Sequence, residues 1–198
     1  MIVDFERTRR TASSHSGSPL LRSVCKDRQA TLDVVDCTAG LGADSFVLAG
    51  DGHRVKMIER DPVFFALLRD GLHRAIGSAC TKTRETAERL TLVHGDSIEI
   101  LRAQASSTNF DVAYIDPMYP EGSVKRKSLP KKGMAAARVL MEEQSVDDEL
   151  DIVKAALSAQ IPRIVVKRPK RAPKSNGCSF SVAAAKTRYD VTLLASLL

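Results

Sequence analysis

From Leu32 onward, short apolar runs alternate with helical stretches, and this alternation restricts the folds open to the chain more than any other feature. "LDVVD" reads as a buried strand ending in an acid, and "ADSFVLAGDG" as a helix closed by glycine. "RVKMIE" is a second strand ending in an acid, followed by "PVFFALLRDGLHRAI", a helix opened by proline. "RLTLVHGD" supplies a third strand, "SIEILRAQ" a helix, "FDVAYIDP" a fourth strand, "SVDDELDIVKAALSAQ" a helix capped by Ser145, and "PRIVVKRP" a fifth strand. "RYDVTLLAS" is a last strand, paired with one near Ser179 to Val182. Strands separated by helices of this length form a mostly parallel sheet covered by helices on both faces. The expected fold is therefore α/β, with about seven strands and an antiparallel C-terminal strand. At 198 residues a sizeable core can be buried, and one domain is the simplest count. Residues 1–30, polar and Ser/Arg-rich ("RTRRTASSHSGSP"), show neither period and are expected to be a loosely ordered lead-in to a domain spanning 31–198.

No apolar run approaches the ~20 residues that span a bilayer, and "MIVDFERTRR" lacks the apolar core of a signal peptide. A soluble cytoplasmic protein is expected. Cys25, Cys37, Cys80 and Cys178 lie far apart with no histidine at metal spacing, so reduced and mostly buried thiols are expected, with no metal. His15, His53, His73 and His94 form no recognisable nucleophile arrangement. The net charge of +6 and pI near 9.3 favour an anionic partner, although a solvated basic face gives the same totals.

In such sheets ligands sit at the carboxyl ends of the strands, where the strand order reverses. "DCTAGLGAD", Asp36 to Asp44, stands just after the first strand. Gly40 and Gly42 permit backbone conformations closed to other residues, and the helix that follows points unpaired amides at whatever lies before it. A tight turn with nothing bound would use the same glycines. The dinucleotide pattern G-x-G-x-x-G is not completed, because Ser45 occupies the third glycine position. Glu59, 17 positions beyond Gly42, ends the second strand, where an acid can accept hydrogen bonds from both hydroxyls of an adenosine ribose. Asp96 and Ser97, after the third strand, can meet an adenine edge or simply cap a helix.

Together these placements resemble the class I S-adenosylmethionine-dependent methyltransferase fold, a Rossmann-like arrangement. "YIDPMYP", Tyr114 to Pro120, then falls where amino-group methyltransferases of that fold carry Asp/Asn-Pro-Pro-aromatic. An exocyclic amine conjugated to a purine is a poor nucleophile and needs acceptors aimed at its N–H groups. Asp116 and the carbonyl of Pro117 suit that task, prolines stiffen the turn, and Tyr119 can stack on the base. A solvated aspartate in a proline-stiffened turn is the bland alternative. Read in order, "VVDCTAGLGADSFVLA", "VKMIERDPVFFALLRDGLHRA", "YIDPMYP" and "RIVVKRP" resemble successive blocks of the ribosomal RNA small subunit methyltransferase J family, from about Val34 to Pro169.

That resemblance implies methylation of the exocyclic N2 of a guanosine in small-subunit (16S) ribosomal RNA, with S-adenosyl-L-methionine as cofactor. It implies cofactor contacts at Asp36, Gly40, Gly42, Ala43, Asp44, Glu59, Arg60, Asp96 and Ser97, with Asp116 beside the reacting methyl. Ala43 stands where the family often has arginine, and Gly133 replaces a glutamate after Lys131 and Lys132. Family members have a longer, glycine-rich N-terminal region, of which "RTRRTASSHSGSP" is a degenerate remnant. Lys125, Arg126, Lys127, Lys131 and Lys132 after the catalytic turn are expected on one basic rim that holds RNA phosphates. Lys167, Arg168, Lys170, Arg171 and Lys174, around and after the fifth strand, are expected on the same rim. Three alternatives stand beside this reading: a methyltransferase of another amine such as DNA adenine or protein glutamine, a nicotinamide-dependent reductase, and a non-catalytic RNA-binding relative.

Overall fold

The computed structural model describes residues 2–11, 17–25, 30–103, 109–117 and 146–196. In chain order the elements are α1 (Phe5–Thr11), α2 (Pro19–Val24), β1 (Asp33–Asp36), α3 (Ala43–Gly50), β2 (Arg54–Glu59), α4 (Pro62–Ile76) and α5 (Thr81–Ala87). They continue as β3 (Leu90–His94), α6 (Ser97–Ala103), β4 (Val112–Ile115), α7 (Val146–Ser158), β5 (Arg163–Pro169), β6 (Phe180–Ala183) and β7 (Thr187–Leu193), with a 3₁₀ turn at Leu194–Ser196. The seven strands form one sheet in the order β3-β2-β1-β4-β5-β7-β6. β3 to β5 pair in parallel, whereas β7 runs antiparallel to both β5 and β6. The mostly parallel α/β sheet expected from the alternation is observed, in the class I methyltransferase arrangement that the resemblance implies.

Period-two side-chain alternation divides the core cleanly between the two faces. Val34, Met57, Val112, Tyr114 and Val165 point to one face with residues of α1 to α5. Val35, Ile58, Ala113, Ile115, Ile164 and Val166 point to the other, against Leu101 of α6 and Ile152, Val153 and Ala156 of α7. Asp61 starts α4 by accepting the Val63 and Phe64 amides at 2.8 and 2.9 Å, with Pro62 at the first helical position.

The loosely ordered lead-in expected over residues 1–30 is corrected by its described part, which is helical and packed. Phe5 is buried and its ring stacks on Phe46 with centroids 4.7 Å apart. The Arg74 guanidinium donates to the Val3 carbonyl at 2.6 Å, and a Cβ on Gly71 would lie 2.6 Å from the Val3 side chain, so this segment is pressed directly onto α4. Leu20, Leu21 and Val24 of α2 are buried in the same cluster, and α2 packs against β6 and β7. Helices of seven and six residues are too short to show a helical period within a polar stretch. Helix α5 ("TKTRETA") was likewise unforeseen, since it buries Thr83, Thr86 and Ala87 and presents no apolar face. Cys37 is buried, but Cys25, Cys80 and Cys178 are only half-buried. Among the described residues no helix is long and apolar enough to cross a membrane.

Candidate functional site

The chain runs outward from β1 through β2 to β3 on one side, then returns to place β4 and β5 on the other. Order therefore reverses between β1 and β4, and the polar residues expected to act collect at the carboxyl ends flanking that point. Asp36 ends β1 in register with Tyr114 of β4, and Glu59 ends β2 opposite His94 of β3.

The turn after β1 is shaped by two glycines. Gly40 has φ of 53° and Gly42 of 71°, both left-handed. A Cβ on Gly42 would meet Leu68 Cδ1 at 2.7 Å and Phe5 Cζ at 3.1 Å, so only glycine serves there on both counts. Within this turn the Asp36 carboxylate accepts the Thr38 amide at 3.0 Å and the Ser45 hydroxyl at 2.5 Å. Ser45, the residue in place of a dinucleotide site's third glycine, thus spends its side chain on Asp36. Burial pushes the Asp36 carboxyl up to about 7, against the opposing pull of Ser45 and Thr38.

Glu59 is buried and fastened by backbone alone: Gly40 N–H donates to Oε2 at 2.7 Å and Asp61 N–H to Oε1 at 2.8 Å. Each oxygen keeps a lone pair for a ligand hydroxyl. Burial raises its pKa, and the two amides oppose that. Beside it opens a shallow cleft lined by Thr38, Ile58, Glu59, Arg60, Asp96, Ser97, Ile98 and Ile152 among others. Asp96 caps α6 by accepting the Ile98 amide at 2.7 Å, and Arg60 pairs with Asp148 of α7 at 3.2 Å. A bidentate carboxylate, polar groups after β3 and lining isoleucines are groups suited to a nucleoside. The structure thus brings Asp36, Gly40, Gly42, Glu59, Arg60, Asp96 and Ser97 to one strand-end rim. Ala43 and Asp44 open α3 immediately beyond it.

On the other side of the switch point, the Asp116 amide donates to Thr38 Oγ1 at 2.7 Å, which pins the turn after β4 to the turn after β1. Pro117, next in line, is buried. Lys167 Nζ lies 2.7 Å from both Asp116 Oδ2 and Asp44 Oδ2, and the Tyr114 hydroxyl donates to the same Asp44 oxygen at 2.6 Å. Burial, Asp44 and Asp116 all raise the Tyr114 pKa, so its phenol stays a donor. Thr38, Ser45 and Tyr114 were not anticipated in these roles. Thr38 and Ser45 sit inside the glycine-turn block, which was a signal of position though not of partner.

The expected basic rim is redrawn. Lys167 does not stand out from the surface, because its side chain is only 22% exposed and is drawn inward by two carboxylates. Arg168 is also engaged: it pairs with Glu149 of α7 and donates to Ser175 Oγ and the Pro173 carbonyl at 3.0 Å each. Arg188 of β7 reaches the carbonyls of Lys170, Ala172 and Pro173, and buried Asp190 holds Arg188 and the Ser175 amide. These side chains brace the β5–β6 loop, on which Lys170, Arg171 and Lys174 are exposed. Tyr119, Lys125, Arg126, Lys127, Lys131, Lys132 and Gly133, with the Ser145 cap, lie outside the described residues.

Comparison with known proteins agrees with this geometry. The model of a family of SAM-dependent methyltransferases matches residues 1–194. The ribosomal RNA small subunit methyltransferase J of Hydrogenovibrio crunogenus is 39% identical, over 98% of this chain and 70% of that one. Its counterpart in Aliivibrio fischeri is 41% identical, over 96% and 74%. Among solved structures, the SAM-dependent methyltransferase NGO1261 of Neisseria gonorrhoeae superimposes with a TM-score of 0.75 at 32% identity, covering 98% of this chain and 74% of that one. The rRNA methyltransferase aviRa of Streptomyces viridochromogenes shares the fold, with a TM-score of 0.54 at 15% identity over 98% and 85%.

Proposed function

Because the chain belongs to the ribosomal RNA small subunit methyltransferase J family, we propose that its rim methylates the exocyclic N2 of one guanosine in small-subunit ribosomal RNA. The broader activity, S-adenosylmethionine-dependent methylation of ribosomal RNA, is that of the family. The observation that carries the finer reading is Asp116, a carboxylate fixed at the switch point by Thr38 and Lys167, across Thr38 from the cleft that Glu59 lines.

S-adenosylmethionine supplies an electrophilic methyl on a sulfonium. The protein's own residues hold and orient. Glu59 accepts from the ribose hydroxyls, and the 39–44 turn offers its backbone. Asp96 and Ser97 would meet the adenine edge, and Ile58, Ile98 and Ile152 would supply apolar contact in the same cleft. Asp116 and the Pro117 carbonyl accept the N–H groups of the guanine amine, directing its lone pair along the line of transfer and stabilising the charge that develops on nitrogen. Tyr119 stacks on the base after it leaves its neighbours. Exposed Lys170, Arg171 and Lys174, on their braced loop, contact phosphates, as do Lys125, Arg126, Lys127, Lys131 and Lys132. The site of action is the cytoplasm, and no metal takes part.

Transfer of labelled methyl from S-adenosylmethionine to unmodified small-subunit ribosomal RNA, followed by digestion to nucleosides, tests this directly. Label in N2-methylguanosine supports it. Label in another nucleoside overturns the position, and selective binding of cofactor without any transfer leaves only a non-catalytic relative.

A further inference from the structure

We infer that Lys167 is a positioning residue for the methyl-acceptor site: set between Asp116 and Asp44, it holds the Asp116 carboxylate ionised and aimed, and is not an RNA phosphate contact. The inference rests on the amino-methyltransferase reading of the rim. Guanine N2 offers two N–H donors, so the group that receives it must be acceptor-only, and a carboxyl meets that requirement only when ionised.

Among the described residues, Lys167 is the group that favours ionisation of Asp116, and burial and Asp44 work against it. It is flanked by Asp36 at the end of β1 and by Asp44 in the first turn of α3, with the neutral phenols of Tyr114 on β4 and Tyr189 on β7 completing the described surroundings. Burial raises the Asp116 pKa, Lys167 opposes it, and Asp44 adds to the rise. Burial also works against the Lys167 charge, but the two carboxylates more than reverse that, and its ammonium titrates above the ordinary lysine range. One cation thus serves two carboxylates among the described residues, Asp116 and Asp44, with a third, Asp36, nearby.

The geometry separates positioning from phosphate binding. Two of the three ammonium hydrogens are directed to carboxylate oxygens at 2.7 Å. With Thr38 holding the Asp116 amide from β1 and Lys167 holding its carboxylate from β5, the acid is fixed at both ends. Moving the ammonium outward to a phosphate would lengthen both 2.7 Å contacts and leave the acid freer to take a proton.

The test compares wild type, Lys167→Met, Lys167→Arg and Asp44→Asn. In Lys167→Met, the acid limb of the kcat profile should move up by about one pH unit or more, lowering turnover about tenfold on that limb. KM for RNA and its salt dependence should stay unchanged, and Lys167→Arg should restore much of the loss. Asp44→Asn has the opposite sign: Lys167 is then undivided, and the limb should move down. Carbon-13 titration of the Asp116 carboxyl in the free protein follows the same shifts without RNA. A wild type that transfers no methyl would sink the function while this titration still decides the role of Lys167. An Asp116 titration unmoved in both Lys167→Met and Asp44→Asn, or a weaker KM for RNA with a flatter salt slope in Lys167→Met, would overturn the inference.

Discussion

The two halves of the rim carry the same chemical group and hold it in different ways. On the β1–β2 side, Glu59 is clasped by two backbone amides and Asp36 by an amide and a hydroxyl. On the β4–β5 side, Asp116 and Asp44 are joined through a lysine. Amides are set by the fold and do not titrate, so the first half suits a cofactor that is always the same. An ion pair of side chains has a charge that can be redistributed, which suits the half proposed to receive a proton-bearing amine. The amide-held half is thus fitted to recognition, and the ion-paired half to the reaction.

The sharpest contrast comes from removing each half's acid. Asp116→Ala should lower kcat by about 10³-fold while calorimetry shows S-adenosylmethionine still bound. If that variant keeps its turnover, the division fails. Glu59→Ala should act the other way round. It should weaken cofactor binding at least about tenfold and also destabilise the fold, because two buried amides lose their acceptor at about 1–3 kcal/mol each. Normal cofactor affinity in Glu59→Ala would mean that recognition lies elsewhere.

Two smaller effects sharpen the comparison. Gly42→Ala combines a left-handed φ with a clash against Leu68 and Phe5, whereas Gly40→Ala carries the φ with only the Thr38 carbonyl at 3.9 Å. The first should cost more than the second, with strain of about 1–3 kcal/mol per site and a fall in Tm of roughly 2–4 °C per kcal/mol at this chain length. The smallest effect concerns Asp36, whose carboxyl is raised from the usual 3.8 to about 7 in the folded state. A raised folded pKa means that its stabilising contribution is present below the unfolded value and is lost as pH rises through about 7. Asp36→Asn should therefore flatten the decline of stability between about pH 4 and 7, and an unchanged slope in chemical denaturation would show that Asp36 ionises without cost.

The strands and the larger helices were readable because each repeats a period over enough residues. Arg54–Glu59 and Pro62–Ile76 match their sequence reading to the residue, and Arg163–Pro169 begins one residue later than its reading. The turn after β1 and the acid that ends β2 were legible too, since glycines and a strand-end acid are local signals. What escaped depends on residues meeting across the sheet. Lys167 reads as a rim cation until Asp44, 123 positions away, is seen beside it. Tyr114 reads as a core aromatic until its hydroxyl is found on the same acid. Likewise Val3, Phe5 and Leu20 are scattered apolar residues in a basic stretch, and only the groove they fill makes helices of their surroundings.

The position of β7 has a consequence for synthesis. This late strand is not at the sheet's margin but between β5 and β6, pairing with β5 along seven residues. Helix α2, made among the first 25 residues, leans on β6 and β7, and Arg163 of β5 donates to its Ser23 carbonyl. A nascent chain therefore carries an open β5 edge and an unseated α2 until translation has passed Leu193, an interval in which both are exposed to other chains. Closure of the sheet joins α2 to strands made much later in one event, and it also sets Tyr189 beside Lys167. The lysine that holds Asp116 is therefore enclosed only once β7 has been added.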